Sequence, residues 1–254
     1  MDLGLSGRSA LITGGSKGIG LAAAQSLARE GCNVHLASRT EADLVKARDT
    51  ILAECDVEVG IHACDLSDGN VARALIDECK AVDILVNNAG AIPAGDIHDL
   101  DEERLREAWN LKVFGYQNTC RAMLVHMRER ESGVIVNVIG AAGEAPTPGY
   151  VAGSAGNASI MALTRALGST SREYGVRVVG INPGLIVTGR LETLSRTFAE
   201  KRFGDAERWR ETFDQTYPPG QPEQVGDMVA FLASDRSGNT TGTIITIDGG
   251  SSAR

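Results

Sequence analysis

The stretch Leu-Ile-Thr-Gly-Gly-Ser-Lys-Gly-Ile-Gly, residues 11–20, decides the fold of this chain. The apolar run from Ala10 to Ile12 overlaps the start of this stretch and predicts a strand. Thr13 and the following glycines end that strand. Residues 19–30 then predict a helix that stops at Gly31. Because the free backbone N–H groups of a helix N-terminus bind anions, this strand, turn and helix predict a pyrophosphate site. A glycine-rich turn without a ligand has the same local pattern, so the choice depends on the rest of the chain.

Composition indicates a single large α/β domain that spans residues 1–254. Of these 254 residues, 43% are hydrophobic and 23% are charged, which suits one well-buried core. The net charge of -8 argues against a nucleic-acid partner or an anionic membrane surface. No segment approaches the roughly 20 apolar residues of a membrane span, so we expect no membrane partner.

The cysteines and histidines predict a cytoplasmic protein without a metal site. The five cysteines form no CxxC pair, which is typical of reduced thiols in the cytosol. The four histidines lie far apart in the sequence and no Cys/His cluster is evident, so we expect no metal ion. The first residues, MDLGLSGRS, lack the basic and apolar regions of a signal peptide.

Strands and helices alternate through most of the chain, which predicts a doubly wound parallel sheet. The pattern includes one long helix over residues 101–130, a β-branched strand over 134–138, and another helix over 150–174. In such a sheet the ligand crevice lies outside the carboxyl ends of the strands. Polar or turn-forming residues follow the predicted strands at that edge, namely Thr13, Ser38, Arg39, Asp65, Asn87, Gly140 and Pro183.

Five motifs resemble the short-chain dehydrogenase/reductase family over essentially the whole chain. The glycine turn is similar to that family's cofactor turn, and Asn-Asn-Ala-Gly at 87–90 is similar to the sequence after its fourth strand. Asn110 lies where the family's catalytic asparagine is expected, and Asn-Pro-Gly at 182–184 and Ile-Asp-Gly-Gly at 247–250 complete the resemblance. The resemblance implies a single seven-stranded Rossmann domain that binds a nicotinamide nucleotide.

The same resemblance implies which residues bind the cofactor. They are Gly14, Ser16, Lys17, Gly18, Ile19, Gly20, Arg39, Asp65, Leu66, Asn87, Ala89, Gly90, Pro183, Ile186 and Thr188. A carboxylate after the second strand would repel a 2′-phosphate, whereas this chain has Ser38 followed by Arg39 there, and Lys17 within the turn. We therefore expect NADP(H) to be preferred, with NAD(H) as the alternative.

The family's catalytic pattern is incomplete in this chain. Tyr150 matches the family's acid/base tyrosine, but Ser154 stands four residues later, where the family has lysine. Gly140 occupies the place of the family's serine. We expect the catalytic residues to be Tyr150, Asn110 and Ser154, with Tyr150 as proton donor. Because no lysine follows at the family's position, Tyr150 is expected to keep a high pKa and to be a poor base for alcohol oxidation at neutral pH.

Three classes of function remain open from the sequence. The leading class is an NAD(P)-dependent oxidoreductase that interconverts the carbonyl and alcohol of a small organic substrate. The alternatives are a non-redox lyase or isomerase on the same fold and a nucleotide-binding protein without turnover. Residues 189–221, rich in charged and aromatic side chains, are expected to form the substrate lid. The resemblance also implies a homo-oligomer, a dimer or a homotetramer.

Overall fold

A computed structural model of the protein describes residues 2–253. A parallel sheet forms the centre of the molecule. Its strands are β1 Ser9–Thr13, β2 Asn33–Ser38, β3 Val59–Ala63, β4 Ile84–Asn87, β5 Gly133–Val138, β6 Val176–Pro183 and β7 Ile244–Ile247. They are ordered β3-β2-β1-β4-β5-β6-β7, and every neighbouring pair is parallel. The seven-stranded, doubly wound Rossmann-like fold expected from the sequence is confirmed.

Helices cover both faces of this sheet. They are α1 Gly18–Arg29, α2 Glu41–Leu52, α3 Gly69–Glu78, α4 Glu102–Trp109, α5 Gly115–Glu129, α6 Val151–Thr170, α7 Gly189–Phe203 and α8 Pro222–Ala233. Within residues 2–253, no helix combines the length and the apolar composition needed to cross a membrane.

Two apolar layers hold the helices on the sheet. On one face Leu27 of α1 and Val229 of α8 pack against Val34 and Val136 of the strands. On the other face Leu75 of α3 and Met123 of α5 pack against the sheet. Strands buried on both faces require the near-continuous apolar runs that the sequence shows at β4 to β6.

The prediction of one continuous helix over residues 101–130 is wrong, because the helix is interrupted near its middle. A π-helical segment, Asn110–Phe114, separates α4 from α5. A π segment inserts an extra residue into a helical turn, which shifts the side chains that the turn presents. The helix expected over 150–174 is likewise shorter, since α6 ends at Thr170 and a 3₁₀ turn, Ser171–Tyr174, follows it.

Candidate active site

A cavity of about 1090 Å³ opens at the carboxyl ends of β1, β4, β5 and β6. Its walls come from the glycine turn after β1, Ala89 and Gly90 after β4, residues 138–142 after β5 and residues 183–186 after β6. The cavity therefore lies in the crevice where open α/β sheets bind ligands. Its volume is large enough for a dinucleotide and a small substrate together.

The glycine turn has the geometry of an anion site. Gly14 and Gly18 have φ values of +66° and +54°, which favour glycine. Lys17 at the N-cap gives α1 no side-chain cap, so the N–H groups of its first turn remain available to an anion. Asn88 fixes the turn by donating from Nδ2 to the backbone oxygens of Thr13 and Gly14, at 3.1 and 3.2 Å. These residues therefore fit the pyrophosphate of a nicotinamide nucleotide.

Most residues expected to bind the cofactor line this cavity or a smaller one beside it. The main cavity is lined by Gly14, Lys17, Gly18, Ile19, Ala89, Gly90, Pro183, Ile186 and Thr188. The smaller cavity, about 150 Å³, includes Ser38, Arg39 and Leu66 in its wall. The structure does not place Ser16, Gly20, Asp65 or Asn87 in either wall.

Asn87 instead lies in the protein interior. Its Nδ2 donates to Asn137 Oδ1 of β5 at 3.0 Å, and its Oδ1 accepts from Thr119 Oγ1 of α5 at 2.8 Å. Asn137 in turn donates to Thr164 Oγ1 of α6 at 2.9 Å. This buried network joins β4, β5 and two helices, so the Asn87 side chain has a structural place that sequence reasoning did not anticipate.

The two cations expected near the cofactor differ in their surroundings. Lys17 Nζ lies 2.7 Å from Asp43 Oδ2, which offsets its charge. Arg39 makes no ion pair with any residue of the described range 2–253. A backbone hydrogen bond from Ser67 and, more weakly, the charge of Arg39 lower the pKa of Asp65. Arg39 is therefore the better placed of the two cations to meet a 2′-phosphate.

Tyr150 lines the main cavity, and its ring lies over Gly153. A Cβ atom at position 153 would overlap Cε1 and Cζ of the ring, so the phenol can take this position only over glycine. Burial raises the pKa of Tyr150, while the charge of Arg190 and a hydrogen bond with it act in the opposite direction. The chain thus supplies a cation to Tyr150 from α7 rather than from α6.

The other two expected catalytic residues do not line the cavity. Ser154 Oγ accepts a hydrogen bond from the backbone N–H of Thr147 at 3.2 Å, which ties α6 to the loop before it. Asn110 is exposed at the start of the π-helical segment. Of the expected catalytic residues, only Tyr150 faces the cavity.

Lys112 is a cavity residue that sequence reasoning missed. It belongs to the π-helical segment, is only 8% exposed, and lines the cavity. Its Nζ donates to Tyr116 Oη and to the carbonyl oxygen of Val138, each at 2.9 Å. Its neighbours Ala108, Tyr116 and Met123 are buried as well, but the π-helical segment breaks the regular spacing from which a buried helix face is predicted.

The surroundings of Lys112 disfavour its charge. Burial, together with the nearby Arg190 cation, lowers the pKa of Lys112 to about 7. Gly90 makes room for its stem, because a Cβ there would lie 2.5 Å from Lys112 Cδ. Arg190 itself donates to the carbonyl oxygen of Ile92.

Asn157 takes the space that opens at Gly140, where the family has serine. Gly140 has a φ of +142°, and a Cβ there would lie 2.6 Å from Asn157 Nδ2. Both residues line the cavity. A side-chain amide from α6 therefore occupies the position next to the end of β5, which the sequence spacing did not reveal.

The segment 189–221 forms part of the cavity wall. Its helix α7 begins at Gly189 and is capped by Thr188, whose Oγ1 accepts from the backbone N–H of Leu191 at 3.1 Å. Leu191, Leu194 and Phe198 present apolar side chains to the cavity. This face gives the substrate end of the cavity an apolar wall.

Two histidines that are far apart in sequence meet away from the cavity. His35 Nδ1 and His62 Nε2 lie 3.1 Å apart across β2 and β3, and Cys79 Sγ lies 3.6 Å from the same His62 nitrogen. Their ligand-type atoms all fall within 4.8 Å of one another. Burial and the neighbouring His62 lower the pKa of His35, which favours the neutral form of the His35 ring. Sequence spacing did not reveal this cluster, because His35 and His62 are 27 residues apart and Cys79 is 17 residues from His62.

Comparisons with known proteins agree with this fold and site. The family model described as short chain dehydrogenase matches residues 8–198. Oxidoreductase UcpA of Salmonella typhimurium is 33% identical over 255 residues, covering 97% of this chain and 95% of that protein. L-Sorbose reductase from Gluconobacter frateurii, solved with NADPH and L-sorbose, has a TM-score of 0.89 at 28% identity, with 98% of each chain covered. NAD⁺-bound xylitol dehydrogenase has a TM-score of 0.89 at 26% identity, covering 97% of this chain and 99% of that one.

The chain belongs to the short-chain dehydrogenase/reductase family. It is an NAD(P)-dependent oxidoreductase of the type that interconverts carbonyl and alcohol groups. The lyase, isomerase and non-catalytic alternatives left open by the sequence are not favoured by these relatives.

Proposed function

We propose that the protein reduces the carbonyl group of a small organic substrate in the main cavity and oxidises the corresponding alcohol in reverse, with Tyr150 as the proton donor for reduction. The observation that carries this proposal is that Tyr150 and the glycine turn open onto one cavity. A nicotinamide nucleotide, when bound, supplies or accepts the hydride. The turn at Gly14 and Gly18 would hold its pyrophosphate, and Pro183, Ile186 and Thr188 would border its nicotinamide.

The role proposed for Tyr150 follows from its protonation state. Burial raises the pKa of its hydroxyl, so the phenol keeps its proton at neutral pH and donates a hydrogen bond to a carbonyl oxygen. As that oxygen gains negative charge, the Arg190 guanidinium stabilises the phenolate that remains after proton transfer. Reduction at neutral pH is therefore the direction that this site supports.

Ser154 and Asn110 enter this proposal as positioning residues. Ser154 holds the loop at Thr147, three residues before Tyr150, and Tyr150 N donates to Thr147 O at 3.1 Å. Asn110 begins the π-helical segment, and its carbonyl oxygen accepts from the N–H of Gly115. Neither side chain contributes an atom to the cavity wall.

We propose that NADP(H) is preferred over NAD(H), because Arg39 lines the smaller cavity without a carboxylate partner in residues 2–253. Among the structural relatives, L-sorbose reductase was solved with NADPH and xylitol dehydrogenase with NAD⁺. Titration of both reduced cofactors by fluorescence tests the preference. Arg39→Asp is expected to weaken NADPH binding and to strengthen NADH binding, whereas equal affinities in the unchanged protein would contradict it.

We also propose a cytoplasmic homotetramer, with a dimer as the smaller alternative, in which residues 1–254 form one domain and residues 189–221 its lid. The support is the family resemblance together with exposed apolar side chains on the long helical region, Phe114 and Val125. The lid assignment is supported by the apolar face that α7 turns toward the cavity.

A survey of carbonyl compounds tests the proposed activity. NADPH oxidation is followed with L-sorbose, levodione and simple aliphatic and aromatic ketones, with the Tyr150→Phe variant run in parallel. Turnover of at least one compound, lost in the variant, is the expected result. Cofactor binding without turnover of any carbonyl compound would instead favour the non-catalytic reading.

A further inference from the structure

We propose that Lys112 is a catalytic acid–base residue, whose Nζ contacts the substrate oxygen beside Tyr150 and exchanges the proton of the reaction. This inference rests on the proposed function, since it assigns a further group to the same cavity. The first observation is the position of Lys112 in the cavity wall. The π-helical segment between α4 and α5 presents Lys112 to the cavity that Tyr150 and Asn157 also line.

The hydrogen bonds of Lys112 leave one direction for a ligand. An ammonium group has three donors and no acceptor. Two of these donors are taken by Tyr116 Oη and the Val138 carbonyl oxygen, and Tyr116 Oη itself donates to Val138 O at 2.6 Å. The third donor is available to the cavity that Lys112 lines. These contacts fix the amine at one point of the cavity wall.

Lys112 has no ion-pair partner among the described residues 2–253. Within residues 2–253, no carboxylate lies within ion-pair distance of its Nζ. Two ionisable groups act on it from neighbouring elements, the Arg190 cation from α7 and the Tyr116 phenol from α5. The cavity that it lines is also lined by the titratable residues Lys17, Tyr150, Asp214, Tyr217 and Asp248. Burying an ammonium group costs free energy that an apolar residue in the same space does not cost, so a lysine that only filled space would destabilise the fold. An unpaired amine that gains and loses its proton near neutral pH is instead suited to acid–base work.

Tyr150 needs such a neighbour. Its phenolate, once formed, lies in a buried site where the pKa of the phenol is raised, so the lost proton must be restored quickly. Arg190 is hydrogen-bonded to Tyr150 but does not release protons in proteins. Lys112 supplies what Arg190 cannot, because its ammonium is able to give up a proton near neutral pH.

The proposed proton transfers involve three groups: the substrate oxygen, the Tyr150 hydroxyl and Lys112 Nζ. In reduction, the carbonyl carbon gains the hydride that a bound nicotinamide nucleotide would supply, the electron pair of the C=O π bond moves to oxygen, and the Tyr150 hydroxyl gives its proton to that oxygen. Lys112 Nζ then gives a proton to the same oxygen while the first proton returns to the phenolate, which leaves an alcohol, a phenol and a neutral amine. The amine regains a proton from water. Oxidation runs the steps in reverse and needs the neutral amine at the start.

The pH dependence of two Lys112 variants tests this proposal. In the wild type, the rate constant for reduction is expected to fall above about pH 7, and that for oxidation to rise. Lys112→Met is expected to lower reduction roughly a hundredfold at pH 6, and by less at pH 9, where the wild type has lost its ammonium. Lys112→Arg keeps the cation but cannot release its proton, so it is expected to remain slow at every pH. Lys80→Met, a change at an exposed lysine, is the matched control.

Two kinetic results would overturn the proposal. One is an Arg variant as active as the wild type, which would show that only the charge is needed. The other is a Met variant with an unchanged pH profile. In both cases activity itself persists, so the proposed function stands while this inference falls. Absence of turnover of every carbonyl compound in the survey would overturn both.

A second readout does not depend on turnover. The lysine ε-carbon resonance that disappears in Lys112→Met is followed by NMR titration of the complex with NADP⁺. It is expected to titrate near neutral pH and to shift when 2-methyl-2-propanol is added, an alcohol that has no carbinol hydrogen and so cannot be oxidised. A Lys112 that stays protonated above pH 9, or does not respond to the alcohol, contradicts the proposal. Thermal unfolding and NADPH affinity show whether each variant is folded.

Discussion

Tyr150 reaches the cavity because the residue three positions later has no side chain. Its ring occupies the space above Gly153 that a Cβ would fill. Gly153→Ala is therefore expected to displace the phenol from the cavity and to lower the rate of carbonyl reduction by roughly tenfold to a hundredfold, since misplaced donors lose much of their effect. Steady-state assays with the best carbonyl compound of the survey measure this loss.

Gly189→Ala provides the matched control for that change. Gly189 also lines the cavity, but a Cβ there meets no atom within 4 Å. This variant is expected to keep nearly the wild-type rate. If both variants behave alike, the position of the Tyr150 ring over Gly153 is not what matters for activity.

Lys112 is expected to reduce the stability of the fold that contains it. Its pKa falls from 10.5 to about 7 on folding, so between these values the unfolded chain binds more protons and wild-type stability rises with pH. Lys112→Met is expected to raise the free energy of unfolding by roughly 1–4 kcal/mol below pH 7, with a gain that shrinks toward pH 10. Urea unfolding at pH 6, 8 and 10 measures it. A variant less stable than the wild type at pH 6 would contradict this environment for the amine.

At the scale of the elements, Asn87 ties β4 to β5 and to α5 rather than binding the cofactor. Asn87→Ala leaves the partners of this buried amide unsatisfied, so a loss of roughly 1–3 kcal/mol in the free energy of unfolding is expected. The dissociation constant for NADPH is expected to stay within about twofold of the wild type. Asn70→Ala, at an exposed position in α3, serves as the control for the unfolding measurement. A large loss of NADPH affinity with unchanged stability would instead show that Asn87 binds the cofactor.

The sheet and the glycine turn could be predicted because local patterns determine them. Apolar runs bounded by Thr13 or Asn87, and the glycines at 14 and 18, indicate their structure without reference to distant residues. The place of the Asn87 side chain could not be predicted, since it depends on partners 32 and 50 residues away.

The catalytic wall was harder to predict for the same reason. Spacing along one helix made Ser154 the natural substitute for the missing lysine. The structure instead places Arg190 of another segment beside Tyr150, and Lys112 of a third segment in the wall of the same cavity. The π-helical segment decides which face Lys112 occupies, and helical periodicity assumes that no such segment exists.

At the scale of the whole molecule, the exposed apolar side chains bear on assembly. Phe114 and Val125, on the helical region 110–129, are 47% and 54% exposed. If this face joins subunits, the double variant Phe114→Asp and Val125→Asp is expected to sediment as a smaller species than the wild type at micromolar concentration. Leu52→Asp, at a similarly exposed leucine on α2, is expected to leave the mass unchanged. A wild type that sediments as a monomer would contradict the proposed homo-oligomer.

A single-turnover measurement of deuteride transfer tests most directly whether the protein reduces a carbonyl group with Tyr150 as proton donor. The protein is mixed with NADPH deuterated at the transferred position of C4 and with the best carbonyl compound from the survey, and the alcohol formed is analysed by mass spectrometry. We expect one deuterium on the carbinol carbon, and a rate at least about a hundredfold lower in Tyr150→Phe. Deuterated alcohol formed by Tyr150→Phe at the wild-type rate would contradict it.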